Sequence, residues 1–173
     1  MNTAADAPAP PASLRRRLAS LVYELLLLVA LLFVVSFALL PLVSPGHAGS
    51  AQAITVPALP QRAAMGSVLF AVLAFYFSWC WSQGRRTLPM KTWKLRLIDR
   101  AGRDLGRRQA LLRYLCVWIG PLAALAAYGV LAPMGLGAHA AWLVLLGWLW
   151  AFVDRERLFL HDRLAGTRLV LRA

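Results

Sequence analysis

The feature that most constrains the fold is the segment from Arg15 to Leu40, in which three arginines lead directly into a long apolar run. A helix needs about 20 residues to cross a hydrocarbon core of about 30 Å, and this run is long enough to do so. The run contains a single carboxylate, Glu24. Because a charged side chain is costly in hydrocarbon, Glu24 needs either a partner or a functional reason to be there.

Three more apolar segments follow, and the four together predict the architecture. They are apolar on all sides rather than along one stripe, which argues against a soluble helical bundle. Hydrophobic residues make up 60% of the 173 residues, more than the core of a small soluble domain requires. We therefore predict an all-α membrane protein with four transmembrane helices, at residues 18–40, 64–82, 114–132 and 136–153.

The distribution of positive charge predicts how these helices are oriented. Of the 19 Lys and Arg residues, three precede the first span, ten lie between the second and third spans, and five follow the fourth. The other loops contain only Arg62. The positive-inside rule therefore places both termini in the cytoplasm. The net charge of +12 is explained by this topology and by contact with anionic lipid head groups. Nucleic acid is not an expected partner, because no recognisable binding fold accompanies the charge.

The polar segments carry weaker signals. Residues 1–14 are rich in Ala and Pro and are predicted to form a disordered tail. In the basic cytoplasmic loop after the second span, "TWKLRLID" alternates apolar and basic residues and is followed by a turn at Ala101 and Gly102. This pattern predicts a short strand or β-hairpin arm against the inner membrane surface. The C-terminal tail after Asp154 is charged but punctuated by Leu and Phe, which predicts an interfacial segment.

The third and fourth spans are predicted to form an antiparallel hairpin, because a short connection with His139 as its one ionisable residue joins them. Gly120 and Ala124, four residues apart, would let the third span approach a neighbouring helix closely. Pro121 is expected to kink this span.

Three stretches in order carry a family resemblance. A basic residue enters the first span with an acid seven residues later (Arg17 and Glu24), "GRRTLPMKTWKLRLIDRAGR" follows the second span, and "LHDRLAGTRLV" lies near the C-terminus. Together they resemble the RDD family of bacterial membrane proteins, named for one arginine and two aspartates. The resemblance implies a single transmembrane domain over residues 15–170 in the bacterial inner membrane. It also implies that the signature charges fall on Arg17, Glu24 and Asp162, with Glu24 replacing an aspartate.

The most specific part of the resemblance is the tail motif, whose informative residues are His161, Asp162, Arg163, Gly166 and Thr167. No residue pattern points to a metal, a cofactor or an enzymatic nucleophile with its base. We expect no enzymatic activity.

The charged residues near the inner leaflet can be paired in more than one way. By depth, Arg113 at the start of the third span is the best partner for Glu24, and Arg17 is then left for Asp162. One interpretation is a structural or accessory protein in which these charges clasp the helices together. The alternative is a small oligomeric transporter of the cation/proton antiport type, in which Glu24 binds the ion. Either role implies a homo-oligomer or another membrane protein as partner.

Overall fold

The computed structural model describes residues 12–43 and 58–172, which are mostly helical. Two short strands and two 3-10 segments, one of three residues and one of nine, complete this part of the chain. The elements are α1 (Leu14–Val43), α2 (Leu59–Trp81), α3 (Leu88–Thr92), β1 (Leu95–Asp99), α4 (Arg107–Val117), α5 (Ile119–Leu131), a 3-10 turn (Ala132–Met134), a 3-10 helix (Gly137–Leu145), α6 (Leu146–Val153), α7 (Leu160–Ala165) and β2 (Thr167–Leu171).

Three helical segments of the described chain are long and apolar enough to cross a membrane: Leu14–Leu39, Leu59–Trp81 and Arg107–Met134. They correspond to the first three predicted spans, although all three begin four to seven residues earlier than predicted. Residues 1–11 of the predicted N-terminal tail lie outside the described residues. Ala12 is buried, and its amide donates a 3.1 Å hydrogen bond to the carbonyl of Leu169.

The fourth apolar segment, Gly137–Val153, is shorter than the other three. It begins as 3-10 helix and continues as α6. It packs against α5 as the antiparallel hairpin that the sequence predicts. Gly120 lies at the closest approach, where a Cβ atom would be 2.8 Å from the carbonyl oxygen of Val144. The predicted close contact at Gly120 and Ala124 is confirmed, since both residues are buried.

The third segment is interrupted at Trp118, between α4 and α5. Pro121 follows three residues later, in the first turn of α5. A proline ring clashes with the carbonyl four residues before it, which here belongs to Val117, the last residue of α4. The break in the helix at Trp118 thus lies about one turn before Pro121, and the predicted kink stays a prediction.

The prediction of a β-hairpin within the basic loop is wrong in its choice of partner strand. β1 pairs antiparallel with β2 from the C-terminal tail, from Leu95 opposite Leu171 to Asp99 opposite Thr167. The predicted turn is present: Gly102 has a φ of 82°, and the amide of Asp99 donates to the carbonyl of Arg103. Beyond that turn, only one isolated bridge continues the hairpin pairing, between Ile98 and Asp104.

The C-terminal tail packs against the rest of the described chain, and its predicted location at the membrane interface stays a prediction. α7 packs against α4 and α6, and β2 pairs with β1 in a two-stranded sheet. The compact core lies at this end of the helices and includes Phe77, Trp81, Met90, Leu95, Leu97, Leu105 and Tyr114. We call this end, formed by α3, β1, α7, β2 and the adjoining ends of α1, α2 and α4, the cap.

Candidate functional site

An ion pair between Arg113 and Asp162 lies at the centre of the cap. Nε of Arg113 donates to Oδ1 of Asp162 at 2.9 Å, and Nη2 lies 2.7 Å from the same oxygen. Both residues are almost fully buried, with exposed fractions of 4% and 0%. The pair joins α4, part of a membrane-length helix, to α7 in the C-terminal tail. Such a pair is strongly destabilising to break, because removal of one partner leaves a buried charge uncompensated.

The tail motif has a local structural reason for its residues. α7 ends at Gly166, whose φ of 65° is the left-handed conformation that commonly terminates a helix and that favours glycine. This reversal turns the chain into β2, whose first residue is Thr167. The Thr167 hydroxyl then donates a 3.1 Å hydrogen bond to Oδ1 of Asp162. The motif therefore builds the turn that positions its own buried carboxylate.

Aromatic rings and a histidine surround the Arg113 guanidinium. Its central carbon lies 4.4 Å from the ring centroid of Trp81, a cation–π contact. Nη2 of Arg113 lies 3.2 Å from Nε2 of His161. Because arginine only donates, Nε2 accepts, and a neutral His161 ring carries its proton on Nδ1.

His161 is held in its neutral form. Burial lowers the pKa of His161 to about 4, and the neighbouring Arg113 charge acts in the same direction, while Asp162 opposes the shift. A charged imidazole would both lose solvation and meet the Arg113 guanidinium. His161 therefore acts here as a hydrogen-bond acceptor that helps orient Arg113.

The depressed pKa of His161 predicts how stability depends on pH. Below a pH of about 6.5 the unfolded chain binds a proton at this position, whereas the folded protein resists protonation down to about pH 4. Stability from neutral His161 is therefore present above pH 6.5 and is lost as the pH falls towards 4, by about 1 kcal/mol per pH unit. The stability of the detergent-solubilised protein, measured by thermal melting between pH 7.5 and pH 5, should fall with decreasing pH at about this rate. His161→Gln should flatten it, and an unchanged slope in that variant would contradict the assignment.

Glu24 has hydroxyl partners instead of the predicted arginine. Thr87 donates to Oε2 at 2.7 Å, and the Tyr76 hydroxyl lies 3.4 Å from Oε1. Among the described residues no ion pair joins Glu24 to Arg113, because the guanidinium of Arg113 is taken by Asp162. The predicted pairing of Glu24 with Arg113 is therefore wrong, although Arg113 is close enough to influence the carboxylate electrostatically.

Sequence reasoning missed Thr87, although a signal for it exists. A threonine two residues before a proline is typical of a helix start. Thr87 is indeed the N-cap of α3, where its hydroxyl oxygen accepts a weak 3.4 Å hydrogen bond from the amide of Met90. The same hydroxyl donates its proton to Glu24. Thr87 therefore links the start of α3 to the carboxylate on α1.

Arg17 is buried but lacks the predicted ion pair with Asp162. Its exposed fraction is 4%, and its guanidinium carbon lies 5.5 Å from the ring centroid of Phe159. Within the described part of the chain, Nε and Nη1 of Arg17 have no hydrogen-bond partner, and neither has Oδ2 of Asp162. A buried donor without an acceptor costs about 1–3 kcal/mol, and more when it is charged.

A cavity of about 220 Å³ adjoins these charges. Its polar wall includes two of the candidate signature residues, and its apolar wall comes mainly from α1, α2, α4, α5 and α6. The polar lining residues are Arg17, Ser20, Glu24, Arg113 and His161. The three candidate signature charges, Arg17, Glu24 and Asp162, all lie at the cap. Arg163 of the tail motif does not line the cavity and pairs at 2.8 Å with Asp154.

The described residues hold no group of three or more His, Cys, Asp or Glu side chains that could bind a metal ion. Cys80 and Cys116 are free cysteines. The described site thus consists of two arginines, two carboxylates, a neutral histidine and hydroxyl groups beside an apolar cavity.

Membrane-length apolar helices that carry buried charges at one end define a helical membrane protein with a charged cap. The RDD family model matches residues 11–166, and the chain belongs to the RDD family. This match confirms the resemblance drawn from the tail motif and the first span. No curated protein and no solved structure gave a significant match.

Proposed function

We propose that this RDD protein is a multi-pass component of the bacterial inner membrane with four spans and both termini in the cytoplasm. The charge distribution supports this orientation, because most Lys and Arg residues belong to the cap and its loops. The fourth span is supported by its helix type. A 3-10 helix rises about 2 Å per residue, so Gly137–Leu145 and α6 together reach about 30 Å, the thickness of a hydrocarbon core.

The role that the geometry supports best is structural: an accessory membrane protein whose cap is clasped to its helices by signature charges. The observation that carries this proposal is the buried Arg113–Asp162 pair, which ties the C-terminal tail to a membrane-length helix. A second contact, the buried hydrogen bond from Thr87 to Glu24, ties α3 to α1. Its partner would be a second copy of the chain or another membrane protein, embedded among anionic lipids.

A transport role is the second candidate, and the cavity beside Glu24 favours it. In this role the protein would be a small oligomeric antiporter, and the Glu24 carboxylate would bind a cation or proton. The cavity in one copy is small, so an oligomer would have to complete the pathway.

Ion flux in proteoliposomes separates the two roles. For the structural role we expect no proton-driven or sodium-driven flux above that of protein-free liposomes, because Glu24 is satisfied by Thr87 and Tyr76. Glu24→Gln should then leave the flux at the same background. The structural role is contradicted if the parent protein shows a flux that Glu24→Gln abolishes while it remains folded and reconstituted.

A further inference from the structure

The cavity beside the cap has a polar end and an apolar end. Arg17 and Ser20 lie at the cap end of α1, and Leu28 lines the same cavity eleven residues further along the helix. At 1.5 Å per residue this separation is about 16 Å along the helix axis. The deeper wall is completed by Val117, Trp118, Pro121 and Trp148. The cavity is therefore polar near the predicted membrane surface and apolar towards the membrane interior.

At the polar end, the Arg17 guanidinium has N–H donors that lack acceptors within the described chain. Its guanidinium is buried, and Nε and Nη1 have no acceptor among the described residues. Among the neighbouring charges, Arg113 is bound by Oδ1 of Asp162 and the Glu24 carboxylate accepts from two hydroxyls, whereas Oδ2 of Asp162 has no partner among the described residues. Glu24 also lies about 10 Å deeper along the helix than Arg17, and an anion at Arg17 would lie on its cap side.

The apolar end reaches the outer surface of the helices. Leu25 lines the cavity, and yet 44% of its surface is exposed on the face of α1 that a membrane would cover. A volume of about 220 Å³ is smaller than the roughly 300–1,000 Å³ typical of pockets that enclose a whole small ligand. The occupant would therefore be held only in part, with the remainder outside the protein.

We propose that this cavity binds one acidic phospholipid, whose phosphate accepts hydrogen bonds from Arg17 and whose acyl chain follows the apolar wall past Leu25 and Leu28. A phosphate oxygen gives the guanidinium the acceptor that it lacks, and arginine binds phosphate through paired N–H donors. The chain enters from the bilayer along the exposed side of Leu25. This site goes beyond the clasp and does not depend on whether the protein transports ions.

The test uses the full-length protein, purified in neutral detergent and stripped of lipid. Phosphatidylglycerol and phosphatidylcholine with the same acyl chains are added separately, and bound lipid is counted by native mass spectrometry alongside the shift in melting temperature. We expect one phosphatidylglycerol to bind and to raise the melting temperature, and phosphatidylcholine to bind more weakly. Arg17→Gln should weaken phosphatidylglycerol binding about tenfold or more, the loss expected for a charge-assisted hydrogen bond.

The matched control is Arg16→Gln, which removes the same charge from the adjacent, exposed position and should change the affinity less than twofold. If Arg17→Gln does not fold, Leu28→Trp tests the site from its apolar end, because a larger ring would occupy the path of the acyl chain. It should weaken lipid binding while Arg17 is retained.

Three results would overturn the proposal. The first is equal binding of the two lipids. The second is an equal loss of affinity in the two arginine variants. The third is a melting shift produced to the same extent by inorganic phosphate alone, which would make the site one for a small anion. If Arg17 instead turns to Oδ2 of Asp162 in the folded protein, no lipid will bind selectively, and the proposal fails in the same assay.

Discussion

Replacement of Asp162 by alanine should destabilise the protein by about 3–5 kcal/mol, because it leaves the buried Arg113 guanidinium without its counter-charge. The same change removes the acceptor of the Thr167 hydroxyl, so the turn into β2 loses a contact as well. We expect the variant to be recovered in much lower yield, and its melting temperature in detergent to fall sharply.

The matched control for this change is Asp104→Ala. Asp104 pairs with Arg96 at 2.9 Å, close to the length of the buried pair, but both side chains are more than one-third exposed. An exposed pair of this kind is worth about 0–1 kcal/mol. If the two variants lose a comparable amount of melting temperature, burial of the Asp162 ion pair is not what makes this residue stabilising.

The second large effect is expected at Gly120, where α5 meets the end of the 3-10 helix. A Cβ at this position would lie 2.8 Å from the carbonyl oxygen of Val144 and 3.0 Å from that of Leu143. Both atoms belong to the backbone and cannot move away by a rotamer change. Gly120→Leu should therefore push the hairpin apart and cost about 1–3 kcal/mol or more.

Gly129 provides the control on the same helix. A Cβ there would meet nothing within 4 Å, so Gly129→Leu adds the same side chain without a steric clash. This variant should melt at or slightly above the temperature of the parent protein, since leucine favours helix more than glycine does. If both variants melt alike in detergent, the close approach of the two helices at Gly120 does not exist in solution.

Much of the helical architecture could be predicted from hydropathy alone. Membrane spans are read from long apolar runs, and three of the four predicted segments are helices of sufficient length. The fourth differs because half of it is 3-10 helix, which hydropathy cannot distinguish from α-helix.

The cap was harder to predict because its contacts join residues that are far apart in sequence. The alternation in "TWKLRLID" correctly indicated a strand, but local pattern cannot identify a partner some 70 residues away. The wrong pairing of Glu24 with Arg113 has the same cause, since it depends on a contact with a distant part of the chain. From sequence alone, Arg113 had only Glu24 as a carboxylate at its depth, whereas packing of α7 against α4 brings Asp162 to Arg113 instead.

The family resemblance singled out charged residues without giving their contacts. Arg17, Glu24 and Asp162 are all buried in the cap. The partners of Glu24 and Asp162 include residues outside the signature, namely Thr87, Tyr76 and Arg113. Such partners are set by packing, which a list of charged positions does not contain.

The clasp between Arg113 and Asp162 is tested most directly by a double-mutant cycle. The free energy of unfolding in mixed detergent micelles would be measured for Arg113→Leu, Asp162→Ala and the double variant. The structure predicts large losses in each single variant and a double variant that loses clearly less than their sum, with a coupling of about 1–3 kcal/mol for residues in contact. Additive losses would contradict the clasp.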